Sequence, residues 1–370
     1  MKYLIVLLFM NFCCVEKKLI DNEINDFKAI NKRIEIESTI SLRDQTIWVI
    51  HQDKKSNFWF GSKENGVFYY DGKLLKNYTK TNGLISNDIR GIQEDSNGNI
   101  YFDTGQGVSK FDGLIFSTLP IKNPNLPTND WVLQSDDLWF RIGFNKNGVY
   151  RFDGEVLHYL KFPKSPQEDT FYKINSNTSL QPYGLYTIYK DRKGFMWFGT
   201  SSLGFCKYDG KTFGWHYENQ LQTTPSGGDF GSRAIFEDKE GLFWINNSRF
   251  RYNITPNSNL NLNFKRENGI AYKNENNQIE FPFFQSITED KEGNIWLLTY
   301  ESNVYKYNGK ELIKYPIKNG KNDVMLFTIY KDNKGFLWLG TFYNGVYKFN
   351  GKSFDKIFVT IQQLSKKHSC

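Results

Sequence analysis

The sequence predicts an all-β protein, a seven-bladed β-propeller of four-stranded antiparallel blades, on three observations. An aromatic anchor recurs at Trp59, Tyr101, Trp139, Trp197, Trp244, Trp296 and Trp338, at intervals of 42, 38, 58, 47, 52 and 42 residues. Six anchors follow an aspartate by six residues: Asp53, Asp95, Asp191, Asp238, Asp290 and Asp332. An aromatic–Asp/Asn–Gly triplet starts at Tyr70, Phe111, Phe152, Tyr208, Tyr307 and Phe349. A period of roughly 40–50 residues with four strand-like runs marks a propeller blade. Asp-Gly and Asn-Gly between alternating apolar residues mark tight hairpins, because a type I′ turn needs positive φ at both central positions.

The elements follow in chain order. Residues 1–14 carry one lysine, then an apolar run ending at Cys13-Cys14. That is signal-peptide length and too short to span a bilayer. Ending at cysteine suggests a lipoprotein signal, with Cys14 lipidated and Cys13 as the alternative. Residues 15–45 are charged and Asn-rich, a tether with a possible ring-closing strand between Arg33 and Ile40. Residues 46–358 hold the propeller. Blade four is the template: strands Tyr186 to Lys190, Met196 to Thr200, Gly204 to Tyr208 and Thr212 to Tyr217. Blade three lacks the aspartate and has Leu133 in a shortened turn. Blade five loses the aromatic–Asp–Gly turn and reads as degenerate. Residues 359–370 form a C-terminal tail.

Aromatics make up 17% of the 370 residues, which suits inter-blade packing. The anchors therefore read as packing elements rather than ligand contacts. The net charge of +7 is modest, and lysines recur in the hairpin turns at Lys73, Lys211 and Lys352. Such spacing gives a solvated rim, whereas a nucleic-acid surface needs one clustered patch. Cys206 takes a strand-three position and reads as a core residue; a disulfide to Cys370 is allowed but not demanded.

Catalytic motifs are missing. His51, His158, His216 and His368 have no zinc spacing, and neither a nucleophile elbow nor a phosphate loop occurs. The Asp-x-x-Gly turns lack the alternating oxygen ligands of a calcium loop. The expectation is no enzyme, no catalytic residues, no metal and no cofactor.

Topology places a candidate ligand site. Chain direction reverses at each strand, so the loops from strand four to the next strand one share a face with those joining strands two and three. The long insertions, Pro120 to Asn129, Lys161 to Tyr183, Glu218 to Ser232 and the stretch around Ile254 to Pro282, all read as lying there. Loops on a rigid scaffold are where binding is usually placed. The first residues of strand one, aligned five before the aspartate, form a ring at this mouth: Trp48, Arg90, Tyr186, Arg233, Gln285 and Phe327, with Trp131 or Asp130 from blade three. Aromatic, guanidinium and amide groups suit stacking on sugar rings and pairing with carboxylates or sulfates. Neither arginine has an obvious structural partner. The following position is mostly small, as crowding about an axis requires. Phe171, Tyr172, Tyr183 and Phe230 are candidate walls. Asp103 and Arg141, where regular blades have glycine, suggest an inter-blade ion pair.

The stretch Asn82-Gly-Leu-Ile-Ser-Asn-Asp-Ile-Arg-Gly-Ile-Gln-Glu-Asp-Ser-Asn-Gly-Asn-Ile-Tyr101 resembles the two-component regulator propeller repeat, with Ile85 in place of a proline and Tyr101 in place of a tryptophan. The similarity covers residues 46–358. It implies a periplasmic sensing module of envelope-spanning histidine kinases, often ones that detect glycans. The chain departs from the family pattern in having one propeller rather than two in tandem, and no kinase core or DNA-binding segment. The expected function is thus recognition of a carbohydrate or small anion in the cell envelope. It would be linked in trans to a separate sensor kinase or an uptake system, with membrane contact only through the lipid anchor. A protein-interaction scaffold is the alternative. A metal-dependent lyase, by a vaguer resemblance to streptogramin lyases, is a distant third, since only His51 could approach the channel.

Overall fold

The computed structural model describes residues 38–122, 133–176, 179–256, 262–358 and 360–363. The expected leader with Cys14, most of the tether, Trp131 and Cys370 lie outside them. Each blade is a meander of antiparallel strands in sequence order. Blade one runs Ile47–Gln52, Phe58–Ser62, Val67–Tyr70 and Leu75–Tyr78. Blade seven runs Leu326–Lys331, Leu337–Thr341, Val346–Phe349 and Phe354–Ile357. Among the described residues blade three shows three strands, Leu138–Phe140, Gly148–Phe152 and Leu157–Lys161. The other blades each show four, so the fold is the seven-bladed propeller.

The recurring aspartate explains its own spacing. In blade four Asp191 Oδ1 accepts from the backbone N–H of Lys193 and Phe195, at 3.0 and 2.9 Å, and Oδ2 accepts from Trp197 Nε1 at 2.9 Å. The same bonds at two, four and six residues recur from Asp53, Asp238, Asp290 and Asp332. In blade two the hydroxyl of Tyr101 replaces the indole, donating to Asp95 at 2.9 Å. A buried carboxylate is thus satisfied while it closes the turn and fixes the ring. The turn needs a left-handed fourth residue: Gly194 in blade four (φ 85°), but Ser56 in blade one (φ 68°).

Each anchor faces the following blade. Trp59 clusters with Ile92 and Phe102, Trp197 with Phe243 and Tyr252, and Trp296 with Leu339 and Tyr347. Trp338 closes the circle against Phe58, with ring centroids 4.7 Å apart. Each large aromatic removes roughly 150–250 Å² from water. The core is therefore divided among the blade interfaces.

The ring closes between two complete blades. Tyr330 Oη of blade seven accepts from the Gln52 N–H at 2.9 Å, and Gln52 Oε1 accepts from the Asn333 N–H at 2.8 Å. The compact unit containing the propeller runs Ser41–Val359, and Leu42 is already buried in it. A separate two-stranded sheet pairs Ser38–Ser41 with Thr360–Gln363.

Blade five corrects the sequence reading. It is a full four-stranded sheet, Ile235–Glu237, Phe243–Ile245, Asn247–Pro256 and Leu262–Asn268. Its outer hairpin holds register from Phe250↔Asn268 to Pro256↔Leu262. The stretch from Ile254 to Pro282 therefore splits. Its first part extends the outer hairpin toward the short-turn face. The remainder is the loop to blade six and carries a small hairpin, Tyr272–Lys273 with Ile279–Glu280.

Candidate functional site

The inner strands place the ring residues by a shared irregularity. The ladder between strands one and two shifts register between Ile47 and Val49, Ile89 and Gly91, Leu185 and Thr187, and Leu326 and Thr328. The skipped residues are Trp48, Arg90, Tyr186 and Phe327. A β-bulge leaves the extra residue unpaired and re-aims its side chain. Arg233 and Gln285 stand just before the inner strands of blades five and six.

One cavity of about 610 Å³ gathers all six described ring residues. Each is half-buried. The small following residues Gly91, Thr187, Ser286 and Thr328 also line it. Around the ring, neighbours touch. Trp48 lies 5.4 Å from Phe327 between ring centroids, and the Arg90 guanidinium lies 5.6 Å from the Trp48 ring. The Arg233 guanidinium sits 4.2 Å from the Tyr186 ring centroid. Gln285 Nε2 donates to the Leu326 carbonyl.

The arginines have partners that the sequence reading did not see. Arg90 Nε and Nη2 both donate to Asp88 Oδ2, at 2.9 and 2.7 Å. Arg233 Nε donates to the Phe230 carbonyl at 2.7 Å. No described carboxylate lies within ion-pair distance of Arg233, so its charge is held by ring faces and a carbonyl alone.

Arg141 supplies a third guanidinium to the cavity, together with Asp103 and Trp139. The Asp103–Arg141 pair expected between blades is present, Nε to Oδ2 at 3.5 Å. Arg141 also donates through Nη1 to the Tyr186 carbonyl at 3.0 Å, and through Nη2 to the Arg90 carbonyl. One side chain thus joins blades two, three and four. Asp103 is buried, which pushes its pKa up; the Arg141 charge and the backbone N–H groups of Arg141 and Ile142 oppose that rise. Regular blades have glycine here for want of space: a Cβ on Gly61 would lie 2.5 Å from Val49 Cγ1.

The expected walls divide. Phe230 packs against Arg233 and borders a second cavity, described below. Tyr183 and Phe171 belong instead to the core between blades three and four, and Tyr183 donates to Glu168. Tyr172 is exposed on the helix Glu168–Ile174. Trp131 lies outside the described residues.

His51 does not line the cavity. Its imidazole is turned toward blade two, with Nε2 3.7 Å from Glu94 Oε2. Burial depresses its pKa to about 4, against a smaller opposing pull from Asp53, so it is neutral at pH 7. No group of three His, Cys, Asp or Glu side chains placed to hold a metal occurs among the described residues. Cys206 is buried, as expected of a core residue, and burial raises its thiol pKa.

A second cavity of about 1030 Å³ opens beside the first, and Arg233 and Phe327 border both. Its walls come from the insertion after blade four and the loop between blades five and six, with Asn247 and Arg249 of blade five and the blade-six turn at Thr299, Tyr300 and Glu301 completing them. The two insertions meet where Phe230 packs edge-on against Phe283 at 5.0 Å. The sequence reading named these insertions but not the residues Arg249, Phe281 and Tyr300 that line the groove between them.

Three segments, residues 83–106, 179–202 and 319–343, match the two component regulator propeller repeat. No protein of curated function matches the chain. Among solved structures, the chain is similar to an extracellular domain assigned to the hybrid two component system BT4673 of B. thetaiotaomicron, with TM-score 0.56 and 20% identity. That match covers 84% of this chain and 39% of the other, so the chain spans about two fifths of that relative. PorZ of Porphyromonas gingivalis, a bacterial surface component of the type-IX secretion system, matches with TM-score 0.56 and 14% identity over 83% of this chain and 46% of that one. Virginiamycin B lyase from Staphylococcus aureus matches with TM-score 0.54 and 13% identity over 84% and 98%. At these identities the likeness is one of fold, shared by sensor domains, a surface component and an enzyme alike.

Proposed function

From a seven-bladed propeller built on two component regulator repeats, we propose a sensor-type recognition module that binds a carbohydrate or small anionic ligand at the channel mouth, without catalysis. One observation carries this reading. Arg90, Arg141 and Arg233 share a cavity with Trp48, Tyr186 and Phe327, and Arg233 has no described carboxylate beside it. A guanidinium over an aromatic face, with its charge unneutralised, is preorganised for a carboxylate or sulfate on a ring-shaped ligand. The volume lies within the range of roughly 300–1,000 Å³ usual for small-molecule sites. The repeat and the likeness to an extracellular domain of a two component system support a place in the bacterial envelope beside a partner sensor protein; the proposal adds a sensor kinase or uptake system acting in trans and a lipid anchor on Cys14. No described helix is long and apolar enough to cross a membrane.

The test is thermal unfolding against a panel of glycans and acidic sugars. A ligand that binds only the folded state adds about 2.7 kcal/mol at a hundredfold excess over Kd. A raised midpoint that vanishes in Arg233→Ala supports the site. No shift across the panel transfers the weight to a protein-docking scaffold, which the exposed Ile174 and Ile279 on the loop-rich insertions favour. Co-purification from the envelope would then decide.

A further inference from the structure

The groove beside the mouth continues the ligand cavity rather than standing apart from it, since Arg233 and Phe327 belong to both. Both of its walls are braced. The insertion after blade four starts at Glu218, whose Oε2 accepts from Tyr252 Oη at 3.0 Å and Arg266 Nη2 at 2.8 Å. Burial pushes the Glu218 carboxyl up, but hydrogen bonds from His216, Gln220 and Arg266 outweigh it and hold the pKa at about 2. The facing loop is tied down by Tyr272 against Tyr305, with ring centroids 5.1 Å apart, and by Ser248 Oγ, which donates to the Ile270 carbonyl at 2.8 Å.

The chemistry of the groove differs from that of the channel. Among the aromatic rings that line it are Phe281, under the Arg249 guanidinium at 5.0 Å, and Tyr300, 45% exposed. Asp229, Glu280 and Glu301 also line it, whereas among the described residues the channel cavity has one carboxylate, Asp103, which is paired with Arg141. Carboxylates beside exposed rings accept from hydroxyl groups and repel further anionic charge.

We infer that the mouth holds an oligosaccharide whose single acidic terminal unit enters the channel at Arg233 and whose neutral units lie along the groove over Tyr300 and Phe281. This rests on the proposed ligand-binding role and names the ligand class for it. A chain charged on every unit would set anions against Asp229, Glu280 and Glu301. A lone acidic sugar would leave the groove's ring faces unused.

Calorimetry on the protein with three probes tests this: glucuronic acid, a xylo-oligosaccharide bearing one terminal glucuronic acid, and tetragalacturonate. The singly charged oligosaccharide is expected to bind at least about tenfold more tightly than either of the others, since only its neutral units can cover the apolar ring faces of the groove. Tyr300→Ala should shrink that advantage to about threefold or less, while Tyr300→Phe keeps it. Because Tyr300 is exposed, truncation there does not threaten folding. Equal binding of glucuronic acid and the oligosaccharide overturns the inference and leaves the channel site standing. So does tighter binding of tetragalacturonate. Failure of all three probes to bind removes the carbohydrate reading of the site itself.

Discussion

The two ends of the inner strands obey different rules. At the turn end, five aspartates hold their turns through the same bonds at two, four and six residues, and Asp95 differs only in using a tyrosine hydroxyl. At the mouth end, the described ring presents tryptophan, arginine, tyrosine, arginine, glutamine and phenylalanine. The difference teaches where the repeat is constrained. A turn that buries a carboxylate tolerates few residue types, because each unmet donor is costly. A bulged residue that faces an open cavity meets no such demand.

Arg141 is the sharpest challenge to this division, because it lies at the mouth yet joins three blades. Arg141→Ala should destabilise by about 3–5 kcal/mol, since it leaves Asp103 buried and without its counter-charge. Urea midpoints measure this. A stability unchanged within about 1 kcal/mol, with binding lost, would assign Arg141 to the ligand instead. Next in size is Asp238→Ala, five residues after Arg233 and at the opposite end of the same inner strand, Ile235–Glu237. It strands the Trp244 indole and two backbone donors, at a cost of about 3 kcal/mol. The ligand-induced rise in midpoint should survive in that variant. The smallest effect is a gain. Ser56 occupies the left-handed position that Gly194 fills in blade four. Ser56→Gly should stabilise by roughly 1 kcal/mol; a loss would mean that the serine side chain supports the turn.

Much of this was legible because a repeat superposes its own copies. The anchor spacing yielded the blades, and counting back from the aspartate found six residues that the fold gathers in one cavity. What escaped was set by geometry that spacing does not encode. The bulges are invisible in Trp48 or Tyr186 as letters. The partner of Arg90 is only two residues away, but pairing with Asp88 depends on the strand's irregular start. Blade five looked degenerate because its outer hairpin lacks the usual turn, although its strands pair at length. The groove joins residues from separate insertions, Phe230 and Phe283 among them, whose meeting no local pattern announces.

The bulges have an evolutionary consequence. In four blades the mouth residue is exempt from strand pairing, so exchanging it sacrifices no ladder hydrogen bond. Specificity can drift one blade at a time while the frame stays intact. The same exemption offers an engineer a set of interchangeable letters around a fixed axis, from which new preferences can be spelled without redesigning the protein.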